Sequence, residues 1–215
     1  MIALIPDTKA DKEFAFLRQA ALDLGATEAK IIPATDVVVE NRVPLKCKTG
    51  CSTYGTRLTC PPHVPTPDEF RKILSEYRYT LLVKFTSTAT TEPAIICSLQ
   101  KNMFDRASDP ENRKKAEAFM QEYVEGNTDR LLAMLELEKT AFNAGYTLAL
   151  ALVNGSCRLC ETCNVKGGVC LHPTMARIPE HAVGINMKKT AEKAGMPIVF
   201  PVTGYPEPMA LLLID

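Results

Sequence analysis

Tyr146-Thr-Leu-Ala-Leu-Ala-Leu-Val153 runs into Asn154-Gly-Ser-Cys157-Arg-Leu-Cys160-Glu-Thr-Cys163-Asn-Val-Lys-Gly167-Gly168-Val-Cys170. The first segment is apolar and of strand length, and it hands the chain to four closely spaced cysteines. A helical pattern over 109–144 precedes it, in two segments meeting at Gly126-Asn127-Thr128. Gly145 is the stop expected at a helix C-terminus. Leu131, Met134, Leu135 and Phe142 mark the buried stripe of the second segment. A helix, a glycine, a strand and then a cysteine loop is the unit from which the rest of the fold is read.

The same helix–glycine–strand joint recurs at Gly25 and Gly195. Phe14, Leu17, Ala21 and Leu24 stand at helical spacing before Gly25, and residues 30–39 read as a strand. Thr66-Pro-Asp-Glu69 opens a helix to about residue 77 with a capping residue, a first-turn proline and two acids. Residues 79–85 and 210–214 read as strands, 94–99 is a short apolar stretch containing Cys97, and a last helix spans about 186–194, followed by 197–202. Between them, 41–66 loses all periodicity. Helices alternating with strands predict an α/β or α+β layered domain over 1–215, a mixed sheet flanked by helices with cysteine-rich loops at 46–66 and 155–173.

Composition narrows the function classes. The chain has 215 residues, 46% hydrophobic and 23% charged, with a formal net charge of zero. Such a balance argues against a nucleic-acid or acidic-membrane surface. No apolar run approaches the ~18 residues of a membrane span, and the opening Met1-Ile-Ala-Leu-Ile-Pro-Asp has no basic n-region. A cytoplasmic protein is expected, and there eight cysteines read as metal ligands or redox groups rather than disulfides.

Cys157-x2-Cys160-x2-Cys163 is the spacing of a loop that wraps one corner of an iron–sulfur cube, and Cys170 can return as fourth ligand past Gly167-Gly168. A structural zinc site is the alternative, although zinc usually draws on two separated pairs. Four unliganded thiols this close would be an oxidation hazard. The spacing is not that of a two-cluster ferredoxin. Cys47-x3-Cys51-x8-Cys60-Pro-Pro-His63 supplies three further thiols, enough for a 4Fe–4S cluster with one iron open to substrate. Cys97 or His63 could complete that set. The alternatives are a buried structural thiol for Cys97 and a surface position for His63.

Lys46, Lys48 and Arg57 could offset cluster charge or receive an anion, or be solvated loop cations. Tyr54-Gly55 could offer a hydroxyl and a close backbone approach, or a turn. His172 could bond a sulfur or lie exposed, and His181 has no motif around it. Neither a Walker loop nor Gly-x-Gly-x-x-Gly is present.

Cys47-Lys-Thr-Gly-Cys51-Ser-Thr-Tyr54-Gly55, Cys60-Pro61-Pro62, Pro67-Asp-Glu-Phe-Arg71, and Cys157-x2-Cys160-x2-Cys163 with Cys170-x-His172-Pro173 resemble a family of cysteine-rich "predicted metal-binding" proteins of anaerobic bacteria and archaea, a domain of unknown function. The resemblance covers about 10–200. It implies that both cysteine groups belong to one pattern, that Cys97 does not, and that an iron–sulfur protein of anaerobic metabolism is to be expected. Cys47, Cys51, Cys60, Cys157, Cys160, Cys163 and Cys170 are thus the candidate ligands, of two 4Fe–4S clusters or, alternatively, of zinc. Electron transfer is the expected activity, through an oxidoreductase reaction or with a redox protein partner or small-molecule substrate. Sulfur transfer, a cluster carrier and a zinc-stabilised binding module are the alternatives, and a homo-oligomer is compatible with all of them.

Overall fold

The computed structural model describes residues 9–199 and 205–214. Four strands, β1 (Ala26–Pro33), β2 (Tyr79–Phe85), β3 (Leu150–Leu152) and β4 (Met209–Ile214), form one sheet in the order β1-β2-β4-β3. Every neighbouring pair is antiparallel, with Leu81 opposite Leu212 and Leu82 opposite Leu211. Among the described residues the helices are α1 (Lys9–Glu13), α2 (Ala15–Asp23), α3 (Leu45–Gly50), α4 (Pro67–Leu74), α5 (Pro93–Cys97), α6 (Leu99–Phe104), α7 (Pro110–Glu125), α8 (Asn127–Asn143) and α9 (Met187–Lys193). None of them is long and apolar enough to cross a membrane.

The sheet is covered on both faces. Ile31, Leu81, Val83, Ala151, Leu212 and Ile214 point to one side, against Phe14, Leu17 and Ala21 of α2 and Met134, Leu137 and Ala141 of α8. Ile32, Leu82, Leu152, Leu211 and Leu213 point to the other, against Phe70 and Leu74 of α4 and Ala191 of α9. Successive residues of a strand face opposite sides, so β2 and β4 must be apolar at almost every position, and all six residues of β4 are buried. Truncating one of these leucines to alanine costs about 2–5 kcal/mol.

The α+β class expected from the alternation of elements is the one found, but the named strands are antiparallel rather than mixed. An unbroken apolar strand usually signals a parallel sheet sandwiched between helices. Here an antiparallel sheet is sandwiched too, and the sequence pattern is the same for both.

Local boundaries shift for physical reasons. β1 starts at Ala26 and ends at Pro33, where the chain turns into a 3-10 segment, Ala34–Asp36. Of 146–153 only Leu150–Leu152 joins the sheet, with Val153 in an isolated parallel bridge to Pro179, and the Ala149 amide turns back onto the Tyr146 carbonyl at 3.1 Å. Phe142 is 57% exposed, since it lies one residue past Ala141, where the stripe Arg130, Met134, Leu137, Ala141 has already taken the inner face; Leu24 is partly exposed at the end of α2. The capping box of α4 forms as expected: Thr66 Oγ1 accepts from the Glu69 amide and the Thr66 amide donates to Glu69 Oε2 at 2.8 Å. Residues 1–8 and part of 197–202 lie outside the described residues.

Candidate metal centre

The stretch 41–66 is not all loop. Pro44 starts a single turn, with the Cys47 amide on its carbonyl at 3.0 Å, and α3 then carries Cys47 and ends at Cys51. Six residues are too few to show periodicity in a sequence, which hid this helix. It places Cys47 within the helix and Cys51 at its C-cap, where the Cys51 amide donates to the Cys47 carbonyl at 3.4 Å. The Cys51 Sγ is 3.0 Å from Thr53 Oγ1, and the Cys60 thiol donates to the same oxygen at 3.8 Å, so one hydroxyl stands between two of the three sulfurs. Cys47 and Cys60 are buried and Cys51 is exposed.

The second group hangs from the end of β3. Gly155 (φ +80°) turns the chain out of the strand, and a Cβ there would lie 2.8 Å from the Asn127 side chain at the α7–α8 junction. Only glycine meets both demands. On the far side of the loop, Arg177 forms a two-pronged ion pair with Glu138 of α8, whose Oε2 also accepts from the Ala151 amide at 2.8 Å. Entry and exit of the cysteine loop are thus both fixed to α8 or its junction. The Asn164 Oδ1 accepts from the Gly167 amide at 3.2 Å and shapes the turn toward Cys170.

The two groups meet. Arg57 Nη1 donates to the Cys160 carbonyl at 2.7 Å and Nη2 to the Glu161 carbonyl at 3.1 Å, while the Leu58 amide donates to Cys163 Sγ at 3.4 Å. The His172 amide donates to Cys170 Sγ, also at 3.4 Å. Electrostatics tie the groups as well. Burial pushes the Cys60 thiol up, opposed by the Thr53 and Thr59 hydroxyls, and the charges of Cys51 and of Cys157 push it further. Cys47 is raised by burial and then by Cys51 and Cys60. Cys157 is raised by burial, eased by the Leu159 backbone, and raised again by Cys170, Cys160 and Cys163. Thiolates that repel one another in partly buried loops are in the situation that a multiply charged cation relieves.

All eight cysteines are free thiols. Among the described residues no three His, Cys, Asp or Glu side chains converge on a single metal ion. The fit to a metal group therefore rests on chemistry: seven free thiols in two interlocked loops, two of their sulfurs accepting backbone amides, as cluster-bound cysteines do.

Residues 30–214 match the family of predicted metal-binding proteins designated DUF2284. The chain belongs to this family. The match to DUF2284 begins within β1 and runs through β4, so α1 and α2 precede it and both cysteine loops lie inside it. This chain is therefore a cysteine-rich metal-binding domain. No curated protein and no solved structure gives a match.

Several sequence assignments resolve differently from expectation. Arg57 is not a free loop cation; its guanidinium holds two carbonyls of the other loop. Cys97 is exposed on α5, a helix that packs on α6 and α7, rather than buried. His63 Nε2 is 3.5 Å from the Gly55 carbonyl, and Gly55 (φ +69°) forms a turn with its amide on the Pro61 carbonyl. His172 reaches Cys170 through its backbone amide rather than its ring. Glu180 and His181 line a cleft together with Cys47, and no motif in the sequence marks them.

Proposed function

We propose that the chain is an iron–sulfur redox protein, with Cys157, Cys160, Cys163 and Cys170 holding a fully ligated 4Fe–4S cluster and Cys47, Cys51 and Cys60 holding a second with one open iron. The observation that carries this reading is the interlocking of the two loops through Arg57, Leu58 and Cys163, with Cys60 inside the electrostatic reach of Cys157. Two clusters bound there would be neighbours, one positioned to exchange electrons with a protein partner and the other to meet a small molecule. Bound iron–sulfur clusters supply one-electron redox capacity and, at an open iron, a Lewis acid. The chain's own part is to order the thiols: α3 carries Cys47 and is capped by Cys51, Thr53 stands between Cys51 and Cys60, and backbone amides at Leu58 and His172 stabilise sulfur charge.

Iron, acid-labile sulfide and the visible spectrum of protein purified without oxygen test the proposal. About eight irons with matching sulfide are expected for two cubes, and Cys160→Ser should remove one cluster's iron while leaving the other. Zinc without sulfide would replace it with a zinc-stabilised module, and unchanged iron in Cys160→Ser would remove Cys160 from the ligand set.

A further inference from the structure

The cysteine loops are basic in a chain whose formal net charge is zero. Residues 46–66 carry Lys46, Lys48 and Arg57 with neither Asp nor Glu, and 155–173 carry Arg158 and Lys166 against Glu161 alone. The Arg57 guanidinium is occupied by the Cys160 and Glu161 carbonyls. Lys46, Lys48, Arg158 and Lys166 are exposed, and none of them makes an ion pair or a side-chain hydrogen bond among the described residues.

Apolar side chains share this surface. Val169 and Leu171, on either side of Cys170, are 65% and 61% exposed, and Leu45 at the start of α3 is exposed too. A groove of about 790 Å³ joins the two loops, lined by Gly55 and Thr56 of one and by Cys163, Val165, Lys166 and Leu171 of the other. A cation, an aliphatic side chain and a candidate ligand thiol thus border a single depression. Charge compensation for bound thiolates accounts for the cations, but it gives Val169 and Leu171 no reason to face water. A protein interface uses both kinds of residue, aliphatic ones for contact and unpaired charges for steering. Nucleic acid is the poorer match: the only Phe, Tyr or Trp in either loop is Tyr54, which is partly buried and offers no stacking platform.

We infer that this surface docks an acidic electron-transfer protein, whose carboxylates meet Lys48, Arg158 and Lys166 and whose apolar residues cover Val169 and Leu171, with the groove at Cys163 inside the contact. The electron exchange, one protein oxidised as the other is reduced, rests on the redox proposal; the docking of an acidic protein rests on the surface alone.

The test is surface plasmon resonance of the full chain, purified without oxygen, over immobilised flavodoxin as the acidic electron-transfer protein and cytochrome c as the basic one. Flavodoxin is expected to bind and cytochrome c is not. The association rate should fall by about tenfold or more as salt rises from about 20 to about 500 mM. Lys48→Glu with Lys166→Glu should slow association by a similar factor, and Lys72→Glu with Lys101→Glu, on α4 and α6, should not. Val169→Ser with Leu171→Ser should instead quicken dissociation. All of these side chains are exposed, so the variants are expected to fold, and circular dichroism checks that they do. Absence of flavodoxin binding at low salt, equal binding of cytochrome c, or indifference to Lys48→Glu with Lys166→Glu would overturn the inference. So would tighter binding of single-stranded RNA or of anionic lipid vesicles than of flavodoxin. Iron and sulfide are counted on the same samples. A chain that binds flavodoxin but no iron keeps the docking surface and loses the redox proposal; one that binds iron but no flavodoxin does the reverse.

Discussion

Arg57 and Cys160, 103 residues apart in sequence, are joined by a 2.7 Å hydrogen bond from guanidinium to backbone carbonyl. The second arm of the same fork takes the Glu161 carbonyl. A planar fork spans two adjacent carbonyls, and a lysine ammonium does not. Arg57→Lys is therefore expected to behave much as Arg57→Ala, each losing about 1–3 kcal/mol of stability. Urea unfolding measures the loss, and hydrogen exchange at the Leu58 amide, which bonds Cys163 Sγ, should quicken in both. Full retention of protection in Arg57→Ala would mean that the loops do not depend on this contact.

Glu138 anchors both the Arg177 guanidinium and the Ala151 amide from a mostly buried position. Glu138→Ala strands a cation and a strand amide together, and a loss of about 3–5 kcal/mol is expected. Thermal unfolding should also show Glu138→Gln in between, because an amide oxygen still serves Ala151. A neutral Glu138→Ala would show that water replaces the carboxylate.

Gly184 has φ +93°, and a Cβ there would meet the Pro67 ring at 2.8 Å. Gly184→Ala suffers both backbone strain and a clash, and should lose about 1–3 kcal/mol. Gly50, at the end of α3 with open space around it, is the control, and Gly50→Ala should be neutral or stabilising. Equal melting temperatures for the two variants would show that the 180–187 segment yields.

His181 feels two opposed influences. Burial disfavours its cation, but the Glu180 carboxylate outweighs that and lifts the pKa above the ordinary 6.5. Because the folded value is raised, the pair's contribution to stability is complete below 6.5 and is lost as pH rises through the folded pKa. An NMR titration should place the His181 midpoint above 6.5, and Glu180→Gln should lower it. A midpoint at or below 6.5 in the unsubstituted chain would disprove the coupling.

Much of this arrangement was legible in the sequence. β2 was readable to the residue and α4 by its cap, because capping and apolar runs are local. Cysteine spacing singled out both loops, since few other constraints place thiols at such intervals. The short helix α3 was hidden, being shorter than the period that would announce it. Strand direction was hidden too, because β2 and β4 are buried on both faces and direction leaves no trace in their composition. Arg57, Glu180 and His181 take their meaning from partners that only the folded chain supplies: two carbonyls a hundred residues away, and a cleft that closes around Cys47.

The position of β4 sets an order on synthesis. It lies between β2 and β3, so β3, from which Cys157–Cys170 hangs, has no strand neighbour until residues 209–214 exist. A nascent chain therefore emits its last thiol well before the scaffold that can align it. A polypeptide cut short before β4 would carry all eight thiols but leave β3, and the cysteine loop that hangs from it, without its strand neighbour.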